Sequence, residues 1–280
     1  MENPTASDKP NRTKLWRIWS IAATVLLAGA VGFVGWQYSR KSPALPAYGR
    51  TLNGPAPSAA AGKTFRIASY NIQSGKGLDG RFDLGRTAKN LQGVDVAGLN
   101  EVRGDGMLSD LAERLNLPWL FSPSERQFGK DYFGNGLLCR LPVLSWQRMM
   151  LPSPPGNDTF QSALLVRLKY QDRPVNLLIA HVTLRPYRET QLQALTDLFL
   201  SLSEPAILVG DMNSSQDDPV LSALLHTPGV TDATAPIGQG QGRRIDWIIA
   251  RGLAVTDKGF IERGASDHPM VWADLSLPEK

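Results

Sequence analysis

Short apolar runs that alternate with stretches of helical spacing are the feature that most restricts how this chain of 280 residues can fold. Most of these runs are apolar on both faces, which is typical of strands covered on both sides. Eight such runs are residues 65–70, 94–99, 136–140, 163–168, 175–181, 206–210, 245–250 and 270–275. Apolar residues at helical spacing lie between them, starting near Leu84, Leu108, Leu192 and Val220. This order predicts an α/β domain with two packed sheets flanked by helices.

Residues 18–36 carry no charge and predict a transmembrane helix, which we assign to 18–38. At about 1.5 Å per residue this stretch just crosses a hydrocarbon core about 30 Å thick. More basic residues precede it than follow it, which favours an N-terminus inside and a domain outside the cytoplasm, periplasmic in a bacterium. The alternative is a cleaved secretory signal with its cleavage site near Ala28-Gly29-Ala30, which would make the protein secreted.

The remaining boundaries follow from composition. Residues 1–17 are predicted to be a cytoplasmic segment, and 39–63, rich in Pro, Ala, Gly and Ser, a flexible linker. Residues 64–280 form the predicted folded domain. The net charge of +4 comes from the N-terminal part, because the chain after Lys41 holds 24 basic and 24 acidic residues. Charge alone therefore does not predict a polyanionic partner.

Polar residues stand where the predicted strands begin or end. Asp211 and Asn213 follow the run 206–210, and Asp246 begins another. Two of the three histidines, His181 and His268, fall in the same set of segments. Metal-binding oxygens, a proton-transfer group and donors to a developing negative charge are what hydrolysis of a phosphate ester requires. We therefore predict an active site.

A divalent cation is the predicted cofactor. Glu101 and Asn71 come at the ends of two neighbouring strand runs. Carboxylate and amide oxygens are the ligands that Mg²⁺ and Mn²⁺ prefer, and the sequence has no Cys/His cluster of zinc spacing.

His268 requires a carboxylate to hold one tautomer, and Asp246 is the candidate partner. Asp211 and Asn213 are expected to face one phosphoryl group, because residues two apart in an extended chain point the same way. Either His268 or Asp211 could be the base that activates water.

Seven motifs occur in the order and approximate spacing found in the endonuclease/exonuclease/phosphatase superfamily, which the chain resembles across residues 64–277. They are Ser69-Tyr70-Asn71-Ile72-Gln73, Leu99-Asn100-Glu101-Val102-Arg103, Gly134-Asn135-Gly136-Leu137-Leu138-Cys139-Arg140, Ala180-His181-Val182, Gly210-Asp211-Met212-Asn213, Ile245-Asp246 and Ser266-Asp267-His268. The resemblance implies a four-layer αββα sandwich and divalent-metal phosphohydrolase chemistry. Gln73 departs from the acidic residue of several relatives, which argues against a second metal.

The resemblance also implies roles. It suggests that Asp211 orients or deprotonates the attacking water, that Asn213 and His181 bind phosphate oxygens, and that Asp267 supports the metal. Substrate contacts are implied for Arg103, Asn135 and Arg188, although Arg188 with Gln191 could instead brace a helix. A nuclease-type phosphodiesterase acting on nucleic acid is the first expectation. A hydrolase of phospholipid or small-molecule phosphates is the second, and a non-catalytic, membrane-tethered binding protein the third.

Overall fold

The computed structural model describes residues 12–40, 47–57, 62–126, 132–152, 161–184, 186–237 and 242–278. Contacts divide the chain into two compact units, Met1–Lys41 and Ser42–Lys280. Residues 1–11 of the predicted cytoplasmic segment, and 41–46 and 58–61 of the predicted linker, lie outside the described residues.

The first unit contains one helix, α1 (Arg12–Arg40), which includes the whole predicted span. Its described side chains between Trp19 and Gly35 are exposed. In the described part of the chain, no helix is both long enough and apolar enough to cross a membrane. The membrane anchor is therefore not shown and stays a prediction.

The second unit has thirteen strands, four α-helices and one short 3-10 helix, Gln73–Gly75, among its described residues. The strands are β1 (Tyr48–Gly49), β2 (Phe65–Asn71), β3 (Val96–Arg103), β4 (Trp119–Arg126), β5 (Tyr132–Cys139), β6 (Val143–Met150), β7 (Ser162–Tyr170), β8 (Arg173–His181), β9 (Ala206–Asp211), β10 (Val230–Asp232), β11 (Asp246–Arg251), β12 (Ala254–Ile261) and β13 (Met270–Ser276). The helices are α2 (Leu84–Asn90), α3 (Gly104–Leu115), α4 (Arg188–Ser201) and α5 (Pro219–Leu225). All eight predicted strands and all four predicted helices are confirmed.

The strands form two mixed sheets. One has the order β1-β6-β7-β8-β9-β11-β10 and the other β12-β13-β2-β3-β5-β4. The pairs β2–β3 and β8–β9 are parallel, and the other pairs are antiparallel. Each parallel pair lies in the middle of its sheet, which explains why these strands are apolar on both faces.

Three apolar clusters define the layers. The largest lies between the sheets and includes Ile67, Val166 and Val209. A second joins β2, β3 and β5 to α2 and α3, and a third joins β8, β9 and β11 to α4 and α5. The layers are therefore helices, sheet, sheet and helices, as the predicted αββα sandwich requires.

Part of the predicted linker is packed on the domain, so the prediction of a flexible tether is wrong there. Tyr48 and Gly49 pair with β6, and Asn53 forms a bridge with Trp119. The indole Nε1 of Trp146 donates to the backbone oxygen of Thr51 at 3.0 Å. A two-residue edge strand carries no periodic signal, which is why composition alone indicated a linker.

Candidate active site

Three predicted catalytic residues form one row across the first sheet. His181 ends β8, Asp211 ends β9 and Asp246 begins β11. Asp211 is the register partner of His181 on one side and of Asp246 on the other. The pairing of three neighbouring strands therefore brings together residues far apart in sequence.

Gly210 permits this row. It has φ 141°, and a Cβ atom there would lie 1.8 Å from the backbone oxygen of Ala180. Only glycine avoids this clash with β8, so the residue beside the central carboxylate has to lack a side chain.

The second sheet contributes Asn71 at the end of β2. This side chain is fully buried, and its Nδ2 donates to Oε1 of Glu101 and to Oδ2 of Asp211, both at 3.0 Å. Its Oδ1 accepts from the backbone N–H of Gln73 at 3.1 Å. Asn71 therefore links two carboxylates, one from each sheet.

Glu101 lies at an irregularity of β3. Its φ is 57°, and the pairing of β3 with β5 shifts register between Leu99 and Val102. A left-handed conformation is unfavourable for a side chain of this type, and functional sites are one place where such conformations are retained. The shift interrupts the alternation of side chains between the two faces of the sheet. The half-buried carboxylate of Glu101 accepts a hydrogen bond from Asn71 there.

His268 and Asp246 form the predicted pair. Nδ1 of His268 lies 2.7 Å from Oδ2 of Asp246, and its Nε2 lies 3.8 Å from Oδ2 of Asp211. His181 approaches the same oxygen of Asp211, with its Nε2 at 3.6 Å. The Asp211 carboxylate therefore lies within reach of both imidazoles.

Electrostatics favours a charged imidazole at His268. Burial lowers the pKa of His268, but the hydrogen bond and charge of Asp246, with the charges of Asp211 and Asp267, outweigh burial and raise this pKa to about 9. Burial raises the pKa of Asp246 to about 6, and the hydrogen bond from His268 opposes that rise. Among the described residues, Oδ1 of Asp246 has no hydrogen-bond partner.

Asn213 reaches the site differently from the prediction. Its φ is 46°, so the chain turns after Asp211 and is not extended. Its backbone N–H donates to Oδ1 of Asp211 at 2.9 Å, and its Nδ2 lies 3.5 Å from Nε2 of His181. The predicted proximity to Asp211 is present, but a turn produces it, and the argument from strand alternation is wrong.

Asn135 lies in the interior of the domain, so its position does not support the predicted substrate contact. It is fully buried, its Oδ1 accepts from Nδ2 of Asn100 at 2.8 Å, and its Nδ2 donates to the backbone oxygen of Ser162 at 2.7 Å. Asn100 also donates to the backbone oxygen of Ala180 at 3.0 Å and accepts from the backbone N–H of Asp211 at 2.8 Å. Asn100 is thus a positioning residue that the sequence did not single out.

Asp267 has its carboxylate held by neighbouring polar groups. Nε2 of Gln73 donates to its Oδ2 at 2.9 Å, and the Ser266 hydroxyl lies 3.3 Å from its Oδ1. The same hydroxyl lies 2.7 Å from the backbone oxygen of Asn71. Gln73 therefore fixes Asp267 near Asn71. Position 73 is the one at which several relatives were expected to carry an acidic residue.

Two groups of donors at this site fit a divalent cation. Glu101, Asn71 and Asp267, the predicted ligands, supply hard oxygen donors from strand ends and one loop. Asp211, Asp246 and His268 have ligand atoms within 4.8 Å of one another. The 2.7 Å hydrogen bond within the second group already explains its proximity, and the oxygen donors of the first group are of the type that Mg²⁺ and Mn²⁺ prefer.

A cavity of about 330 Å³ opens beside this cluster, and we call it the catalytic cavity. Its lining includes Asp246, Asp267, His268, Asn213 and Arg188, together with Leu184, Gly242, Arg243, Ile245, Arg263 and Pro269.

The two predicted substrate arginines differ in position. Arg188 lines the catalytic cavity, with its Nη2 3.0 Å from Oδ2 of Asp218. Arg103 is not among the residues lining that cavity, and its Nη2 donates to the Ser74 hydroxyl at 3.4 Å. The structure therefore places only Arg188 of this pair at the cavity.

The family comparison agrees with this geometry. The sequence model of the Endonuclease/Exonuclease/phosphatase family matches residues 68–268, which include every residue of the cluster. The chain belongs to the endonuclease/exonuclease/phosphatase family. Members of this family are phosphoesterase hydrolases, and they typically use divalent metals. A search of the curated proteins found no match.

Solved structures of the family share the fold. An endonuclease/exonuclease/phosphatase from Beutenbergia cavernae is 22% identical, with a TM-score of 0.66 over 76% of this chain and 72% of that one. A humanized D. rerio TDP2 is 19% identical, with a TM-score of 0.59 over 77% and 100% of the two chains. The human Nocturnin catalytic domain with bound sulfate is 16% identical, with a TM-score of 0.62 over 87% and 99%.

Replacing Asn100 by alanine is expected to destabilise the domain. The substitution removes three hydrogen bonds and leaves buried groups on Asp211, Ala180 and Asn135 without this partner. Each buried group left unsatisfied costs about 1–3 kcal/mol, so the midpoint of urea unfolding should fall clearly. Asn90→Ala, which removes one hydrogen bond to the Tyr70 hydroxyl, is the control and should change the midpoint less. Equal midpoints for the two variants would contradict the assignment of Asn100.

Proposed function

We propose that this protein is a divalent-metal-dependent phosphodiesterase in which water attacks phosphorus in line with the leaving oxygen. The observation that carries the proposal is the position of the Asp211 carboxylate. It accepts from Asn71 of the other sheet and lies within 3.6 and 3.8 Å of the His181 and His268 rings. A carboxylate between two imidazoles, next to an open cavity, can direct a water molecule toward a phosphoryl group that those imidazoles contact.

Each residue of the cluster has a proposed task. Asp211 orients the attacking water and accepts its proton. His181 and Asn213, whose Nε2 and Nδ2 atoms are neighbours, donate to the oxygens of the phosphoryl group. His268, held at Nδ1 by Asp246, faces the same place with Nε2 and stabilises the charge that develops on phosphorus oxygens or on the leaving oxygen.

The metal belongs beside this cluster. Glu101, Asn71 and Asp267 would hold Mg²⁺ or Mn²⁺, which when bound supplies a positive charge that polarises the phosphate ester. Gln73 keeps Asp267 in place through its hydrogen bond of 2.9 Å. Arg188 at the cavity wall adds a cationic contact for substrate, although its pairing with Asp218 reduces its free charge.

Nucleic acid is the proposed substrate. Arginines of the catalytic cavity suit a phosphate-rich strand, and a further D. rerio TDP2 structure, 19% identical with a TM-score of 0.58, is a complex with a single-strand DNA product. The sulfate in the Nocturnin domain is a tetrahedral anion of the same shape as phosphate. A phospholipid is the second candidate, favoured by Leu184, which is 67% exposed beside the cavity.

A substrate panel tests the proposal. The purified full-length chain, with Mg²⁺ or Mn²⁺, is incubated with plasmid DNA, RNA oligonucleotides, sphingomyelin vesicles and bis(4-nitrophenyl) phosphate. Hydrolysis of the nucleic acids and of the small diester is expected, and Asp211→Ala should abolish both. Hydrolysis of sphingomyelin alone would move the function to the lipid alternative. Failure of every ester to react would reject a catalytic function and favour a binding protein.

We also propose, from the sequence, that residues 18–38 anchor the protein with its N-terminus inside and residues 64–280 outside the cytoplasm. Support comes from the uncharged stretch and the excess of basic residues before it. A reporter active only after export, fused to the C-terminus, should be active, and the protein should remain with membranes after washing. A mature N-terminus just after Ala30 would instead show a cleaved signal.

A further inference from the structure

A second cavity adjoins the catalytic cavity and has no part in the chemistry described above. Its volume is about 440 Å³, and we call it the side cavity. Residues 215–217, Pro236 and Ile237 line it, together with Arg243 and Arg244. Arg243 lines both cavities and therefore stands at their boundary.

The two arginines of the side cavity differ in charge compensation. Nη1 of Arg244 lies 3.0 Å from Oδ2 of Asp232, and its guanidinium stacks 4.0 Å from the ring centre of Trp247. Arg244 is thus held in place by Trp247, and Asp232 compensates its charge. Among the described residues, Arg243 has only a hydrogen bond to the Ser215 hydroxyl, at 3.0 Å, and no carboxylate within ion-pair distance. Its exposed guanidinium remains an available cation.

The rest of the side cavity is mixed in character. Asp217 places an exposed carboxylate in the lining, so the cavity as a whole does not attract anions. Pro236 and Ile237 add apolar surface, and Ser215 and Gln216 add groups that can form hydrogen bonds. This combination suits a sugar and a base, with the anion contact confined to Arg243 at the boundary.

We propose that the side cavity receives the nucleotide next to the scissile phosphate, and that Arg243 contacts the neighbouring phosphate of the strand. This inference rests on the proposed phosphodiesterase function. Arg243 lines the boundary of the two cavities, and a second phosphate placed there gains a charge-assisted, bidentate contact. A cationic head group, such as that of a phosphocholine lipid, would instead meet the positive charge of Arg243. The position of this arginine therefore favours a nucleic-acid strand over that lipid.

The test compares a substrate that has neighbouring phosphates with one that has none. Full-length wild type, Arg243→Ala and Arg243→Lys are assayed on a single-stranded oligonucleotide and on bis(4-nitrophenyl) phosphate. Arg243→Ala should raise KM for the oligonucleotide about tenfold or more, and should raise KM for the small diester much less, because that substrate has no second phosphate. The KM of Arg243→Lys for the oligonucleotide should lie between those of wild type and Arg243→Ala, because lysine keeps the charge and lacks the planar guanidinium. Arg114→Ala, on the exposed face of α3 and paired with Asp110, is the matched control.

Salt supplies a readout that a purely structural role would not change. The slope of log KM against log salt for the oligonucleotide should fall by about 0.7 in Arg243→Ala, as expected when one contact to a single strand is lost. An unchanged KM for the oligonucleotide, or equal changes for both substrates, would overturn the proposal. Wild type that hydrolyses the small diester and not the oligonucleotide would overturn it while leaving the phosphodiesterase function intact. Wild type inactive on both would reject that function as well.

Discussion

Replacing His268 by alanine is expected to lower kcat about 10² to 10⁴-fold. This is the range that a group acting on a proton or on developing charge contributes in the transition state. The reason is its position, with Nδ1 held at 2.7 Å by Asp246 and Nε2 directed at Asp211. Asp246→Ala should cause most of the same loss, because an imidazole without its carboxylate loses both its tautomer and its orientation.

The double variant decides whether the two residues act as a unit. His268→Ala with Asp246→Ala should be little slower than His268→Ala alone, since residues that serve one function are strongly non-additive. If the rate losses of the two single variants multiply in the double variant, the two residues act independently. His226→Ala is the matched control, because His226 is exposed after α5 and bonds only to Ser222 among the described residues.

Folding has to be checked for each of these variants. Asp246 is buried, and removing its partner leaves an uncompensated carboxylate in the cluster. Circular dichroism and urea unfolding show whether a lost rate reflects a lost fold. His268→Gln, which keeps a polar side chain, is a second variant. If both His268 variants fold and turn over at the wild-type rate, the pairing has no catalytic role.

The strands that the sequence predicted all have a partner strand on each side, although β6, which also does, was not predicted. β2, β3, β8 and β9 are covered on both faces, so most of their residues are apolar and the pattern is clear. β1, β4, β10 and β12 lie at sheet edges, where one side has no partner. β12 is largely exposed or half-buried, and its polar sequence gave no signal.

Residues of the site were predictable where their position depends on a strand end. His181, Asp211 and Asp246 follow or begin apolar runs, and the alignment of neighbouring strands does the rest. The positions that depend on backbone irregularity were not predictable. The left-handed conformations at Glu101 and Asn213 arise from a register shift and a turn, and strand periodicity shows neither.

Buried polar residues were the hardest to assign from sequence. Asn100 and Asn135 lie in motifs that also contain site residues, so a substrate contact was a reasonable hypothesis for Asn135. Their roles depend on contacts with Ala180, Ser162 and Asp211, which belong to the other sheet. A sequence shows that such amides are present, and only the packing of two sheets shows that they face inward.

Hydrolysis is expected to stop in excess chelator and to return with Mg²⁺ or Mn²⁺, while Zn²⁺ restores little. The proposed ligands Glu101, Asn71 and Asp267 supply oxygen donors, which suit hard cations. Full activity in excess chelator would reject the proposed mechanism, whichever substrate is used.

Glu101→Gln should raise the metal concentration needed for half-maximal activity. The substitution keeps the shape of the side chain and replaces a negative ligand with a neutral one, while the hydrogen bond that Asn71 Nδ2 donates to Oε1, at 3.0 Å, can be kept. We expect a rise of at least about tenfold, since loss of even an outer partner of a metal ligand costs about that much. Glu113→Gln, on the exposed side of α3, is the matched control.

Direct binding separates this explanation from a general loss of activity. Mn²⁺ titrated into the full-length protein and followed by calorimetry should bind wild type and the Glu113 variant alike, and the Glu101 variant more weakly. Saturating metal should restore most of the rate of Glu101→Gln, because Asp211, His181 and His268 are untouched by this change. If the rate of Glu101→Gln stays low at saturating metal and its Mn²⁺ affinity equals that of wild type, Glu101 is not a metal ligand.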